Sequence, residues 1–126
     1  MGSNVSLAYV AAAMLGVWGG AHLAPTRSVA DSFGEITHDN RRILMMEWTA
    51  EGITHISLGI LVVLITAIEG AGNPATLLVY RVVAAVLIVL AGLTAATGSP
   101  TPIVWFRVCP FVLGSAAALL VVASVV

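Results

Sequence analysis

The stretch ILMMEWTAEGITHISLGILVVLITAI, residues 43–68, decides the fold class of this chain. It is the longest apolar run in the sequence, and it exceeds the roughly 20 residues that a helix needs to cross a bilayer. Three ionisable residues interrupt it at four-residue intervals, Glu47, Glu51 and His55. A charged side chain inside a membrane helix is costly unless it is paired or reached by water. The run therefore predicts a membrane-spanning helix that carries a polar site.

The composition of the whole chain is typical of a membrane protein. Of its 126 residues, 60% are hydrophobic and 9% are charged, whereas soluble domains carry about a quarter charged residues. Three further apolar segments are long enough, or nearly so, to cross a bilayer. We predict an all-α integral membrane protein, a single four-helix bundle with helices at about 6–24, 42–68, 76–97 and 103–126. The short links between the last three helices predict that these helices are antiparallel neighbours.

The segment between the first two long helices carries signals for local structure. Spaced apolar residues over Ser28–Phe33 predict a short interfacial helix that ends at Gly34. Thr37 is the predicted N-cap of the next helix, because a threonine side chain can accept a hydrogen bond from the first turn.

Small residues and one proline mark the packing of the helices. Gly16 and Gly20 form a G-x-x-x-G, and Gly114 with Ala118 repeats this spacing in the last helix. Such spacing lets membrane helices approach closely, either within the bundle or at a homodimer face. Pro110 lies inside the last helix and frees one backbone carbonyl there.

The placement of arginine predicts the orientation in the membrane. Arg27, Arg41 and Arg42 follow the first helix, and Arg107 lies on the same side at the start of the fourth, while Arg81 lies on the other side. We call the end of the bundle with four arginines the Arg-rich end. The positive-inside rule places it in the cytoplasm and both termini outside. Without a basic run, the chain has no support for nucleic-acid binding.

Helix geometry places Glu47, Glu51 and His55 on one inward face. Counted from the predicted start of that helix, Glu51 lies close to the centre of a roughly 30 Å hydrocarbon core. His22 and Arg107 are predicted to close a pocket that opens at the Arg-rich end, with Arg107 paired to Glu47. Glu51 then has no obvious cationic partner and is the candidate for proton transfer.

These residues predict a small membrane enzyme with acid/base chemistry on an apolar, lipid or isoprenoid-like substrate. Isomerisation, epoxide opening and cyclisation need a positioned acid and an aromatic lining that tolerates a developing cation. The predicted catalytic residues are Glu51, Glu47, His55, His22 and Arg107. The predicted substrate-binding residues are Trp18, Trp48 and Trp105. This hypothesis assigns no metal and no other cofactor; the partners it names are the bilayer, the apolar ligand, and a second copy or partner membrane subunit.

Three other hypotheses fit the same residues. The first is a site for iron, zinc or manganese, with His22, Glu47, Glu51 and His55 as acceptable ligands. The two histidines could also bind haem, although the sequence predicts that they differ in depth by most of a helix. The ionisable residues can also form a proton or solute path through an oligomer. Alternatively, they form buried pairs that fix helix register in a structural or accessory subunit. Cys109 is interpreted as a small apolar packing residue.

Residues 37–59 also carry a likeness to a known family. The matching pieces are Asp39-Asn40-Arg41-Arg42, Met46-Glu47-Trp48 and Glu51-Gly52. They resemble the signature DNRRI-x-x-MEW-x-x-EG of small uncharacterised bacterial four-helix integral membrane proteins. The resemblance implies a four-helix fold and the bacterial cytoplasmic membrane, and it implies no particular activity.

Overall fold

A computed structural model describes residues 2–126, which form five helices. They are α1 (Ser3–Leu23), α2 (Thr26–Asp31), α3 (His38–Glu69), α4 (Pro74–Thr97) and α5 (Val104–Ala123). α1, α3, α4 and α5 are long and apolar enough to cross a membrane. The predicted all-α class and the four predicted long helices are confirmed, with bounds that differ by four residues or fewer.

Local signals fix the segment between α1 and α3. The Thr37 side chain accepts a hydrogen bond from the Asn40 N–H at 3.2 Å, as predicted for the N-cap of α3. Gly34 follows α2 with a φ of 73°, a conformation that glycine adopts without steric cost. An ion pair of 2.6 Å between Arg41 and Asp31 joins the start of α3 to the end of α2. The predicted short helix is therefore present, beginning two residues earlier than expected.

Buried residues recur along each long helix at alternating steps of three and four. On α3 they are Trp48, Gly52, His55, Gly59, Val62 and Thr66. α1, α4 and α5 bury residues at similar steps. This spacing is typical of bundles in which side chains of one helix fit between those of the next.

The helices are ordered α3–α1–α5–α4 across the bundle. α1 packs mainly on α3 and also on α5, and α5 packs on α4, whereas α3 and α4 touch only slightly. The prediction that the last three long helices are neighbours is confirmed for α4 with α5. It holds more weakly for α3 with α4, which meet where the hydroxyls of Thr66 and Tyr80 are hydrogen-bonded at 2.6 Å. The small residues of α3 face α1, so α1 takes the close contact and a cleft is left between α3 and α4.

Glycines bring the backbones of α1 and α3 into contact. A Cβ atom on Gly19 would lie 2.6 Å from the Gly52 carbonyl oxygen, and one on Gly59 would lie 2.8 Å from a backbone oxygen of α1. The predicted G-x-x-x-G residues behave differently, since a Cβ on Gly16 or Gly20 would meet nothing within 4 Å. Close packing within the chain therefore involves Gly19, Gly52 and Gly59, and the alternative role of Gly16 and Gly20 at a homodimer face stays a prediction.

Pro110 lies inside α5 without ending the helix. Because proline has no N–H, the Phe106 carbonyl loses its helical donor. The Ser99 hydroxyl, in the loop before α5, donates to this carbonyl at 3.0 Å. The α4–α5 loop is thus attached to the first turn of α5.

The outer surface of the bundle is apolar on every long helix. Val17, Ile68, Val89 and Phe111, one from each, are all more than two-thirds exposed. Soluble monomers rarely expose apolar patches larger than a few hundred Å². A lipid surrounding accommodates such a surface without the cost that water would impose.

Gly19→Ala is expected to lower the free energy of unfolding by about 1–3 kcal/mol, because the new methyl group must displace the α3 backbone. Gly20→Ala is the matched control: its Cβ enters open space, and alanine favours a helix over glycine by about 1 kcal/mol. The measurement is thermal unfolding in detergent, followed by the reaction of buried Cys109, the single cysteine, with a fluorescent maleimide. Equal melting temperatures for the two variants would contradict the assigned α1–α3 contact.

Candidate functional site

A cleft of about 580 Å³ lies between α3 and the C-terminal part of α4, at the Arg-rich end. Residues between Leu44 and Thr54 form one wall, residues between Leu90 and Thr97 form the other, and Phe106 of α5 contributes. Most of the lining is apolar or aromatic. Its two ionisable residues are Glu47 and Glu51.

Glu51 connects this cleft to a buried polar cluster. Its side chain is 30% exposed and lines the cleft. On the inner side, its Oε2 lies 3.7 Å from Nε2 of His22, which is 1% exposed near the end of α1. The polar site is therefore shared by two helices that the glycine contact holds together.

The orientation of the His22 ring is set by its own helix. Nδ1 lies 3.2 Å from the Trp18 carbonyl oxygen, which can only accept a hydrogen bond. Nδ1 therefore carries the hydrogen, and in the neutral ring the lone pair of Nε2 is directed to the Glu51 side.

Two tryptophans hold His22 in place. Trp48 stacks on the imidazole with ring centroids 4.5 Å apart and planes inclined by 23°. The Trp48 indole N–H also donates to the His22 carbonyl oxygen at 2.5 Å. Trp18 contacts the same imidazole edge-on at 5.1 Å. The backbone and the ring of His22 are thus both fixed.

Cys109 of α5 completes a group of three candidate metal ligands. A His22 ring nitrogen, a Glu51 carboxylate oxygen and the Cys109 sulfur all lie within 4.8 Å of one another. Cys109 is 1% exposed. The interpretation from sequence, an apolar packing residue, misses this arrangement. One signal was available in the sequence: Cys109 lies five residues after the start of α5 at the Arg-rich end, and His22 lies in the last turn of α1 at the same end.

His55 lies beside this group without a hydrogen bond. Its side chain is fully buried, and neither ring nitrogen has a partner within residues 2–126. The His55 ring meets the His22 ring edge-on at 5.4 Å. Burying a polar group without a hydrogen bond is unfavourable. The Trp18 indole N–H likewise has no acceptor in this part of the chain, and it lies beside Cys109.

Two predictions about depth are wrong. His22 and His55 do not differ by most of a helix, since their rings are in contact. Glu51 is not at the middle of the bundle but level with the last turn of α1. The reason is the length of α3, ~48 Å for 32 residues. Its first turns pack on α2, so counting from the helix start overestimates depth.

The predicted ion pair between Glu47 and Arg107 does not form within residues 2–126. The exposed Arg107 donates from Nε to the Thr101 carbonyl oxygen at 3.2 Å. Glu47 is exposed on the wall of the cleft. Their sequence neighbours Trp48 and Phe106 meet instead, with ring centroids 5.4 Å apart. Adjacent helix residues differ in direction by about 100°, so Glu47 and Arg107 point elsewhere.

Of the three tryptophans predicted to bind substrate, the structure places one in the cleft. Trp48 lines it. Trp18 is buried against His22. Trp105 lies 6.0 Å from Trp18, ring centroid to ring centroid, and shares a second, smaller pocket with α2 residues.

Comparison of the chain with protein-family models, curated proteins and solved structures finds no match. The resemblance to small bacterial four-helix membrane proteins therefore stays a prediction, and the function is inferred from the geometry of the site.

Trp48→Phe is expected to keep the stacking on His22 and remove the hydrogen bond to its carbonyl. The free energy of unfolding should fall by about 0.5–1.5 kcal/mol. Trp105→Phe is the control, because the Trp105 indole makes no hydrogen bond within the described chain. The free energy of unfolding of both variants is measured by chemical denaturation in detergent. A Trp48→Phe variant as stable as the native protein would show that the hydrogen bond from the Trp48 indole to the His22 carbonyl contributes nothing.

Proposed function

We propose that the chain is an integral membrane metalloenzyme whose transition-metal ion binds His22, Glu51 and Cys109 at the base of the α3–α4 cleft. One observation carries this proposal: an imidazole nitrogen, a carboxylate oxygen and a sulfur, from three different helices, converge within 4.8 Å. Oxygen-preferring ions such as Mg²⁺ and Ca²⁺ fit this set poorly, whereas zinc, iron and copper accept mixed nitrogen, oxygen and sulfur ligands.

The distances suit a metal ion after a small closure. Metal–ligand bonds of about 2.0–2.3 Å in a tetrahedral site place the ligand atoms about 3.3–3.8 Å apart. The separation of His22 Nε2 and Glu51 Oε2, 3.7 Å, already lies in this range. The remaining separations, up to 4.8 Å, need a movement of about 1 Å, which side-chain rotation supplies.

The surroundings of the three ligands support the proposal. A metal-binding histidine usually donates its other ring N–H to a carbonyl or carboxylate, and His22 has this arrangement with Trp18. The Trp18 indole N–H, which lacks an acceptor, lies where it can donate to a bound Cys109 thiolate. His55 offers two unpaired nitrogens next to His22. A Cys109 thiolate bound to the ion would give the Trp18 N–H an acceptor, while His55 stays outside the ligand group.

Three protein ligands with a free position are typical of catalytic rather than structural sites. A metal ion in such a site polarises an oxygen of the substrate or activates bound water. The chain's own residues orient His22, exclude water on the inner side through the buried tryptophans, and leave Glu51 facing the cleft.

A metal-free enzyme with acid/base chemistry on an apolar substrate is the second candidate. The observation that favours it is the double contact of Glu51, which lines the cleft and faces the Nε2 lone pair of His22. Glu51 would then exchange a proton with the bound molecule, and His22 would receive or return it. The transport and accessory-subunit hypotheses stay predictions.

Purified protein loaded with Zn²⁺ is expected to retain roughly one ion per chain after dialysis, because three ligands and a closed inner side hold it. His22→Ala and the near-isosteric Cys109→Ser should each weaken binding by about 10–100-fold or more. The metal content is measured by mass spectrometry, and Co²⁺ is substituted to detect a thiolate-to-metal absorption band that Cys109→Ser abolishes.

Glu47→Gln is the matched control, since Glu47 lies one turn from Glu51 but outside the ligand group. It should bind the ion as the native protein does. Native-like binding by both His22→Ala and Cys109→Ser would overturn the metal proposal. A metal-free protein that binds an apolar molecule, and loses it in Glu51→Gln, would support the second candidate.

We also propose that the chain lies in the bacterial cytoplasmic membrane with its Arg-rich end in the cytoplasm. Arg27, Arg41, Arg42 and Arg107 lie at that end. Arg81 lies at the opposite end, where its guanidinium donates to the Ser124 carbonyl oxygen at 3.2 Å and thus caps α5. Four arginines against one satisfy the positive-inside rule.

A reporter fused after Val126 is expected to behave as an external domain, so alkaline phosphatase should be active there and green fluorescent protein dark. Both reporters inserted after Gly34, in the loop between α2 and α3, should give the opposite result. Reversed activities at both positions would contradict the proposed orientation.

A further inference from the structure

We propose that the α3–α4 cleft binds an amphiphilic molecule, with an apolar body between the helices and an oxygen- or nitrogen-donor head group on the metal ion. The inference rests on the metal site of the proposed function and adds to it the chemical class of the substrate. Three features support it: which ligand is accessible, the chemistry of the cleft walls, and the place where the cleft opens.

The metal site is accessible from one direction. His22 and Cys109 are each 1% exposed, and the neighbouring His55 is fully buried. Glu51, at 30%, is the one member of the ligand group that lines the cleft. The free coordination position of the ion therefore faces the cleft, and any molecule that reaches it must lie between α3 and α4.

The walls of the cleft suit an apolar body. Leu44, Leu90, Leu93 and Phe106 line it, and its volume of about 580 Å³ falls within the roughly 300–1,000 Å³ typical of small-molecule sites. Such walls accept an apolar body without leaving polar groups of the protein buried and unpaired.

The threonines in the walls of the cleft do not make these walls polar towards a bound molecule. Thr54, Thr94 and Thr97 donate their hydroxyl hydrogens to carbonyls of their own helices at 2.8 Å. Their donors are therefore already used, and the walls offer a bound molecule few hydrogen bonds. Polar recognition is concentrated at the base, at Glu51 and the metal ion.

The cleft opens on the outer surface of the bundle. Leu93, which lines it, is 56% exposed, and α3 and α4 touch only slightly. In a membrane this opening faces lipid over part of its length. A molecule dissolved in the bilayer can then enter sideways, with its head group leading to the metal ion.

The test uses Co²⁺-loaded protein in lipid nanodiscs and two hydroxamates that share a metal-binding head, acetohydroxamate and octanohydroxamate. Binding is followed by the change in the visible Co²⁺ spectrum. The eight-carbon compound is expected to bind on the order of tenfold tighter or more, because its tail is buried in the cleft. A tail also concentrates a molecule in lipid, so this difference needs a second comparison.

Ala50→Trp and Ala67→Trp supply that comparison. Both alanines are exposed on α3, and of the two Ala50 alone lines the cleft. Ala50→Trp should remove the advantage of the long tail, and acetohydroxamate titrated against the same variant shows whether the metal ion is still reached. Ala67→Trp should keep the advantage, since partition into lipid is the same for both variants.

An equal tail advantage in both tryptophan variants would overturn the inference while leaving the metal site intact. A protein that gives no Co²⁺ spectrum in any variant would instead overturn the metal site and, with it, this inference. The two failures are therefore distinguishable in one set of titrations.

Discussion

The close contact between α1 and α3 at Gly19 and Gly52 is the constraint on which the site depends. At this point the two backbones are too close for a Cβ atom on either glycine to fit without a shift of its neighbours. The contact places His22 opposite the turn of α3 that carries Trp48 and Glu51, and so creates the stacking and the 3.7 Å approach of their polar atoms. Any larger residue at the crossing would separate the imidazole from the carboxylate.

The same contact explains the cleft. Since α1 occupies the small-residue face of α3, and α5 packs between α1 and α4, little surface remains for a contact between α3 and α4. A bundle in which sequential helices were neighbours would close this gap with side chains. The order of the helices therefore produces both an enclosed polar base and an apolar entrance.

The sequence predicted the elements better than their arrangement. Hydropathy and capping residues located four long helices and the N-cap Thr37, because both depend on local sequence. The vertical offset of α3 against α1 depends on which glycines meet, and a single sequence does not reveal that. The error in the depth of Glu51 followed from this offset. The Arg107 partner and the position of Cys109 depend instead on how α5 is rotated and placed against α1 and α3, which the sequence does not reveal either.

Pro110 affects the entrance of the cleft through the carbonyl that it leaves free. The α4–α5 loop is attached to α5 by the Ser99 hydroxyl, where an uninterrupted helix would have used its own N–H. A single hydrogen bond of this kind contributes about 1 kcal/mol, less than twice the thermal energy. Gly98 and Thr101 of this loop line the cleft, and the Arg107 hydrogen bond to the Thr101 carbonyl gives the loop a second attachment to α5. The proline thus makes the position of this edge of the cleft depend on side chains of the loop and of α5, and not on helical backbone hydrogen bonds alone.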